Sequence, residues 1–342
     1  MSHRHKLLLP LALLSLLGAP ASGVEQSRGT WSAVSTMPSG TGDSGVAALD
    51  GKIYVIGGAA FFPHILSGSS DMGSGTWGST VNYEYDPATD KWRQRAAMPA
   101  GLSHPGVIGY NHRLYVFGGF TSLIHANAQA VALAFDPATN TWRRLAPLSS
   151  PRGSAGVAEV DGKIHVFGGR PKDPTPLALH EVYDPASNRW TRAAPMPIAR
   201  DHMGVLVVDG KIHIIGGRTN TPLDNTPEHD VYDPHTDTWS RAAPIPTPRS
   251  GGAAVNYAGL LIYAGGECRK RDPNAPFGGG QDFDEVQAYD PKTDSWRSLT
   301  SLPGARQAFG AATVGGAAYF PGGTMRCGGL ALTDQMLVLH LN

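Results

Sequence analysis

Sixteen residues ahead of each of six Gly-Gly pairs stands one of Thr41, Leu102, Arg152, Arg200, Arg249 and Arg306. Two residues further on comes one of Asp43, His104, Ser154, His202, Gly251 and Ala308. If the six segments are equivalent in space, the first series sets Arg152, Arg200, Arg249 and Arg306 in a ring. Arginine forks grip planar oxyanions in bidentate fashion, so such a ring suits a carboxylate, a sulfate or an acidic peptide. The alternative is that each arginine braces its own segment through backbone carbonyls or a neighbouring acid. In the second series, His104 and His202 with Asp43 offer general acid/base groups or metal ligands. No His-x-His or His-x3-His spacing surrounds either histidine, so neither a metal nor another cofactor is expected. Glu267, directly after the fifth pair, is a further acid/base candidate.

A repeat must position these residues. The pairs close the strings GKIYVIGG (51–58), HRLYVFGG (112–119), GKIHVFGG (162–169), GKIHIIGG (210–217), GLLIYAGG (259–266) and GAAYFPGG (316–323). The first five are followed by YDPATDKW (85–92), FDPATNTW (135–142), YDPASNRW (183–190), YDPHTDTW (232–239) and YDPKTDSW (289–296). Short β-branched and aromatic runs bounded by Gly, Pro, Asp and Asn, with no helical period, predict a small antiparallel sheet per unit. Asp-Pro suits the first two positions of a type I turn, and the Gly pair lets neighbouring chain pass close. A unit of about fifty residues with four strands cannot bury both faces alone, and radial stacking into a propeller solves this. The sixth unit has no closing Trp, while Thr30-Trp31 stands alone before the first pair. Residues 30–38 should therefore supply the outer strand of the last blade. His165 and His213, at the strand position of Tyr54 and Tyr115, should pack between blades.

Composition agrees. Gly (43) and Pro (27) make up about a fifth of the 342 residues, which argues for many turns. With 41% apolar and 16% charged residues the chain can bury a core and is too poor in charge for a coiled coil. Bases and acids balance at 28 each, with no basic run beyond the first six residues, so nucleic acid is not an expected partner. Arg4 and Lys6, the apolar stretch 7–17 and Ala19-Pro20-Ala21 have the pattern of a cleaved secretory signal over 1–21, followed by a linker over 22–29 and one domain over 30–342. That stretch is far short of the roughly twenty residues of a spanning helix, so an exported chain, periplasmic or secreted, without a membrane span is expected. Export would put Cys268 and Cys327 in an oxidising space, where they should pair across neighbouring loops. Trp77 alone among seven Trp falls off the repeat. It sits with Phe61, Phe62, His64 and Asp71 in the long insert 59–82, as a platform for a sugar or peptide or as a pin for the loop.

The Gly pair followed by spaced Tyr and Trp resembles the kelch repeat over residues 30–342. The resemblance implies an all-β, six-bladed β-propeller, its ring closed by the N-terminal strand joining the C-terminal blade, and a ligand-binding face at the loops around the channel. The copper site of galactose-oxidase-like kelch enzymes and the Glu-x3-Asp-x3-His iron motif of nitrile-specifier kelch proteins are not matched. The exported sialate mutarotase shares the architecture, though its catalytic residues are not matched. Two functions are thus expected as alternatives. One is a binding module, expected as a monomer, that holds an acidic carbohydrate or a partner protein's acidic segment through the arginines and Trp77. The other is a carbohydrate-active enzyme, such as a sugar-acid mutarotase, epimerase or oxidase, using His104, His202, Asp43 or Glu267.

Overall fold

The computed structural model describes Met1 and residues 28–59, 78–122, 125–172, 175–221, 223–267, 270–271, 280–327 and 330–341. Residues 2–27, which hold all but the first residue of the expected signal, Trp77 with its aromatic neighbours and Cys268 lie outside these residues; Cys327 is buried. Six four-stranded antiparallel sheets form the blades, and the described residues contain no helix. Their innermost strands, Gly45–Leu49, Gly106–Tyr110, Gly156–Val160, Gly204–Val208, Ala253–Tyr257 and Ala312–Val314, lie side by side around the axis. The second strands, Lys52–Ile56, Arg113–Phe117, Lys163–Phe167, Lys211–Ile215, Leu260–Ala264 and Ala317–Pro321, are buried almost end to end, which is why they read as continuous Ile, Val, Tyr and Phe runs. In the sixth blade the outer strand is Thr30–Val34, paired from Thr30 with His340 to Val34 with Met336, so the N-terminal segment closes the ring.

The second string works between blades. Trp31, Trp92, Trp142, Trp190, Trp239 and Trp296 each donate the indole N–H to a carbonyl just past the outer strand of the preceding blade (Thr300, Ser35, Ala96, Ala146, Ala194 and Ala243), at 2.8–3.1 Å. Tyr85, Tyr183, Tyr232 and Tyr289 donate their hydroxyls to the Asp or Asn five residues on, at 2.7–2.8 Å. The same oxygens accept a backbone N–H from the preceding blade: Ser35, Ala146, Ala194 and Ala243. Asp86 shows the Asp-Pro turn: its carbonyl accepts from Thr89 N at 3.2 Å and its carboxylate from Ala88 N at 3.0 Å.

Close approach explains the Gly pair. Gly119 N donates to the carbonyl of Arg152 in the next blade at 2.9 Å, and a Cβ on Gly118 would lie 2.1 Å from that same oxygen. The other pairs repeat the geometry, as at Gly57 against the Leu102 carbonyl. Gly118→Ala should therefore destabilise the fold by at least about 2 kcal/mol more than Gly210→Ala. Gly210 has an equally left-handed backbone (φ +72) and nothing within 4 Å of its Cβ direction, so only strain of about 1 kcal/mol applies there. Urea unfolding of the two variants checks this, and equal losses would mean that strain rather than contact selects the pair.

His165 and His213 do pack between blades, against Tyr232 and Tyr289 of the next blade, and each also meets a second histidine of its own blade. His165 Nδ1 lies 3.0 Å from His180 Nε2, and His213 Nδ1 lies 2.8 Å from His229 Nε2. His180 and His229 turn their other nitrogens to the Ala194 and Ala243 carbonyls. Burial lowers all four to about 4 from the ordinary 6.5. The unfolded chain takes up protons below pH 6.5 that the folded chain refuses, so stability is complete above that pH and is lost on acidification toward pH 4. The loss is on the order of 2 kcal/mol at pH 5 for each group that must charge. The melting temperature should fall between pH 7 and pH 5, and fall less in His180→Asn plus His229→Asn. The equivalent Asn82 already makes the carbonyl bond, to Ala96 at 3.1 Å, without titrating.

Candidate functional site

The column Asp43, His104, Ser154, His202, Gly251 and Ala308 meets at the axis. All six residues are left-handed, with φ from 53° to 64°. Each N–H donates to the carbonyl of the column residue one blade back, from Asp43 to Ala308 and round to Ala308 to Gly251, at 2.7–3.3 Å. This closed girdle leaves an axial cavity of about 160 Å³, lined by Asp43, His104, Ser154, His202, Gly251 and Ala308 and by the residue after each. A hollow of about 220 Å³ on the outer side of blade 2 holds the Arg113–Asp136 pair and no further acid/base group, so the axial cavity is where chemistry is concentrated.

The girdle brings together side chains far apart in the chain. His104 and His202, two blades apart, lie 5.1 Å apart between ring centroids because the channel is narrow. Asp43 Oδ1 is 3.0 Å from His104 Nε2, and Asp201 Oδ1 is 2.8 Å from His202 Nδ1. Glu267 joins them through Arg218, whose NH1 donates to Glu267 Oε2 at 2.9 Å and whose Nε donates to Asp201 Oδ1 at 3.0 Å. Arg170 holds the other oxygen of Asp201. Asp43, His104, His202 and Glu267 thus converge.

Their environments drive their protonation apart. Burial alone would raise Asp43, but the charge and hydrogen bond of His104, with His125 and Arg218, hold its carboxyl below the usual value. Burial raises Glu267 despite Arg218. Burial, then Arg218 and the neighbouring imidazoles, push His202 well below 6.5, so it is neutral at pH 7. Since Asp201 only accepts, His202 carries its proton on Nδ1, and its Nε2 is the accepting nitrogen, with Ser154 Oγ at 3.3 Å and Arg218 NH2 at 3.4 Å. Among the described residues, His104, His125 and His202 form the group that could hold a metal, with ligand atoms within 4.8 Å of one another. Arg218 NH2 already donates into that group, 3.1 Å from His125 Nε2 and 3.4 Å from His202 Nε2. A cation entering there must displace a guanidinium held by two carboxylates.

The expected ring of ligand-binding arginines is not at the mouth. Arg152, Arg200, Arg249 and Arg306 lie inside their own blades, none more than 2% exposed. They bind Glu181 Oε2 (2.6 Å), Asp230 Oδ2 (2.7 Å), Gln287 Oε1 (2.8 Å) and Gln335 Oε1 (2.8 Å), with further bonds from Arg200, Arg249 and Arg306 to backbone carbonyls. They brace, which is the alternative the sequence left open. The arginines that reach the site, Arg170 and Arg218, stand directly after a Gly pair, in a column with Ala59, Phe120, Glu267 and Thr324. That column is periodic and readable, but only its Glu267 draws notice from the sequence. Asp201 hides between Arg200 and His202, and His125, in the hairpin Phe120–Ser122 and Ala126–Ala128, has no periodic signal.

Residues 146–323 match the KLHDC2/KLHL20/DRC7 Kelch-repeats domain, and residues 101–149 match the Kelch motif. Among curated proteins, the chain is 31% identical over 94 residues to the Kelch-like protein terF of Aspergillus terreus, covering 27% of this chain and 18% of that protein. It is 32% identical over 93 residues to Beta-scruin of Limulus polyphemus, covering 27% and 9%. The matched stretch is thus less than a fifth of either relative's length. The solved structure of YjhT superposes with a TM-score of 0.70 at 20% identity, covering 90% of this chain and 99% of that one, a likeness of fold.

Because the bracing arginines face different partners, their removal should differ. Arg200→Ala leaves the buried Asp230 carboxylate uncompensated and should cost about 3–5 kcal/mol. Arg249→Ala strands the Gln287 amide and backbone carbonyls and should cost about 1–3 kcal/mol. Chemical denaturation of both variants tests the order, and a loss below 1 kcal/mol for Arg200→Ala would contradict the bracing role.

Proposed function

The chain belongs to the kelch-repeat family, and from that premise we propose that its channel mouth binds a small polyhydroxylated molecule and transfers protons on it, outside the cytoplasm. One observation carries the reading: two carboxylate–histidine pairs, Asp43–His104 and Asp201–His202, face each other around a cavity with room for about five waters. That volume takes one small molecule and no folded chain, which favours a sugar-like ligand over a partner protein. Groups whose protonation is driven apart in one site are what acid/base chemistry needs. His202 Nε2, its tautomer fixed by Asp201, is suited to take a hydroxyl proton, and His104, paired with Asp43 on the cavity wall, to return one to a ring oxygen. The interconversion of sugar anomers needs no more than this. Among the described residues, the arginines that reach the site are Arg170 and Arg218, both already tied to Asp201 and, for Arg218, Glu267, so neither is free to take a sugar acid's carboxylate without losing a partner. A neutral sugar is therefore the better substrate class. Export rests on residues 1–21, and the proposed Cys268–Cys327 bridge would tie two loops of the same rim.

The test is a thermal-shift screen of neutral sugars and sugar acids, followed by NMR exchange spectroscopy of anomers for each hit. His202→Ala should lower exchange a hundredfold or more while binding changes little. If no sugar raises the melting temperature and none exchanges faster with protein present, the proposal fails.

A further inference from the structure

We infer that Ser154 is a nucleophile and that the mouth can also cleave small esters by acyl transfer. Ser154 Oγ lies 3.3 Å from His202 Nε2, and His202 Nδ1 lies 2.8 Å from Asp201 Oδ1. Nucleophile, base and orienting carboxylate are thus in sequence of contact, at distances usual for an unliganded site. The backbone fixes the arrangement. Ser154 N donates to His104 O, and His202 N donates to Ser154 O, so nucleophile and base are joined through the girdle as well as through their side chains. Asp201 is fully buried and clamped by Arg170 and Arg218. Ser154 lines the cavity, where a small acyl group has room. Arg218 NH2, 3.4 Å from His202 Nε2, sets a cation beside the place where negative charge would develop.

A second serine offers a comparison. Ser103 Oγ lies 3.2 Å from His104 Nδ1, but it is buried beside the Phe120 carbonyl and does not line the cavity. In the step proposed, Ser154 Oγ bonds to the ester carbonyl carbon as its proton passes to His202 Nε2. The tetrahedral oxyanion collapses, the bond to the alcohol oxygen breaks, and His202 returns the proton to that oxygen. Water, deprotonated by His202, then releases the acid and restores the Ser154 hydroxyl. The substrate class is a short-chain ester of a hydroxylated molecule. The inference rests on the mouth being the small-molecule site, but its test uses no sugar.

The full chain is incubated with phenylmethanesulfonyl fluoride and mapped by peptide mass spectrometry, and 4-nitrophenyl acetate hydrolysis is followed in parallel. One sulfonyl adduct on Ser154 is expected, lost in Ser154→Ala and His202→Ala and kept in Ser103→Ala, with hydrolysis falling at least a hundredfold in the first two. Ser154→Ala should fold, since Ala308 holds the equivalent girdle position at φ 58, and its melting temperature checks this. No adduct on Ser154, or an adduct that His202→Ala leaves unchanged, overturns the inference. A Ser154 adduct without anomer exchange would sink the proton-transfer reading alone, and anomer exchange without the adduct would sink the nucleophile alone.

Discussion

Six backbone hydrogen bonds running once around the channel axis hold this molecule's working parts in register. Each joins the N–H of one of Asp43, His104, Ser154, His202, Gly251 and Ala308 to the carbonyl of its neighbour one blade back, and the circle closes. The left-handed backbone at all six residues is a conformation most side chains avoid. It persists because each residue is bonded to the blades on both sides. That constraint turns residues some fifty positions apart in the chain into direct neighbours, and it narrows the channel until imidazoles two blades apart touch.

Further out, the repeat divides the labour among its columns. Two residues before the girdle, buried arginines tie the strand lead-in to its own blade in four of the six blades. Their carbonyls receive the second glycine of the preceding blade's pair, as Gly119 does with Arg152, so one residue braces within a blade and between blades. On the rim, the tryptophan and the Tyr–Asp pairs repeat the coupling from blade to blade. The outer layers can therefore be the same in every unit, while the girdle and the residue after each Gly pair vary from blade to blade. Variation on a fixed frame is what places Arg170, Arg218 and Glu267 in three consecutive blades.

The fold was legible because its determinants are local and repeated. The Gly pair, the Asp-Pro turn and the Trp each act through one or two backbone contacts that recur at fixed spacing, and the missing Trp of the sixth unit pointed to Thr30–Val34 as the closing strand. The girdle column was legible for the same reason, and with it Asp43, His104 and His202. The role of the arginines was not, because spacing gives a column's place on the blade and not which way a long side chain turns. Arg200 turns inward because Asp230 waits in the same sheet, a contact between strands that periodicity does not encode. Asp201 is not picked out because its column, with Gly42, Ser103, Gly153, Ser250 and Gln307, holds no other acid, and His125 because it lies off the repeat; the first sets the tautomer of His202 and the second acts on Asp43 and His202.

The central claim is that the girdle is a rigid ring which pre-organises the mouth. Amide hydrogen exchange of the full chain measures it directly. The amides of Asp43, His104, Ser154, His202, Gly251 and Ala308 should exchange as slowly as those of the second strands, such as Ile53 and Val116, although they sit in loops rather than strands. Exchange of these six amides at the rate of the exposed turn amides, such as those of Thr89 and Asn188, would show that the ring opens freely and that the site is not held by it.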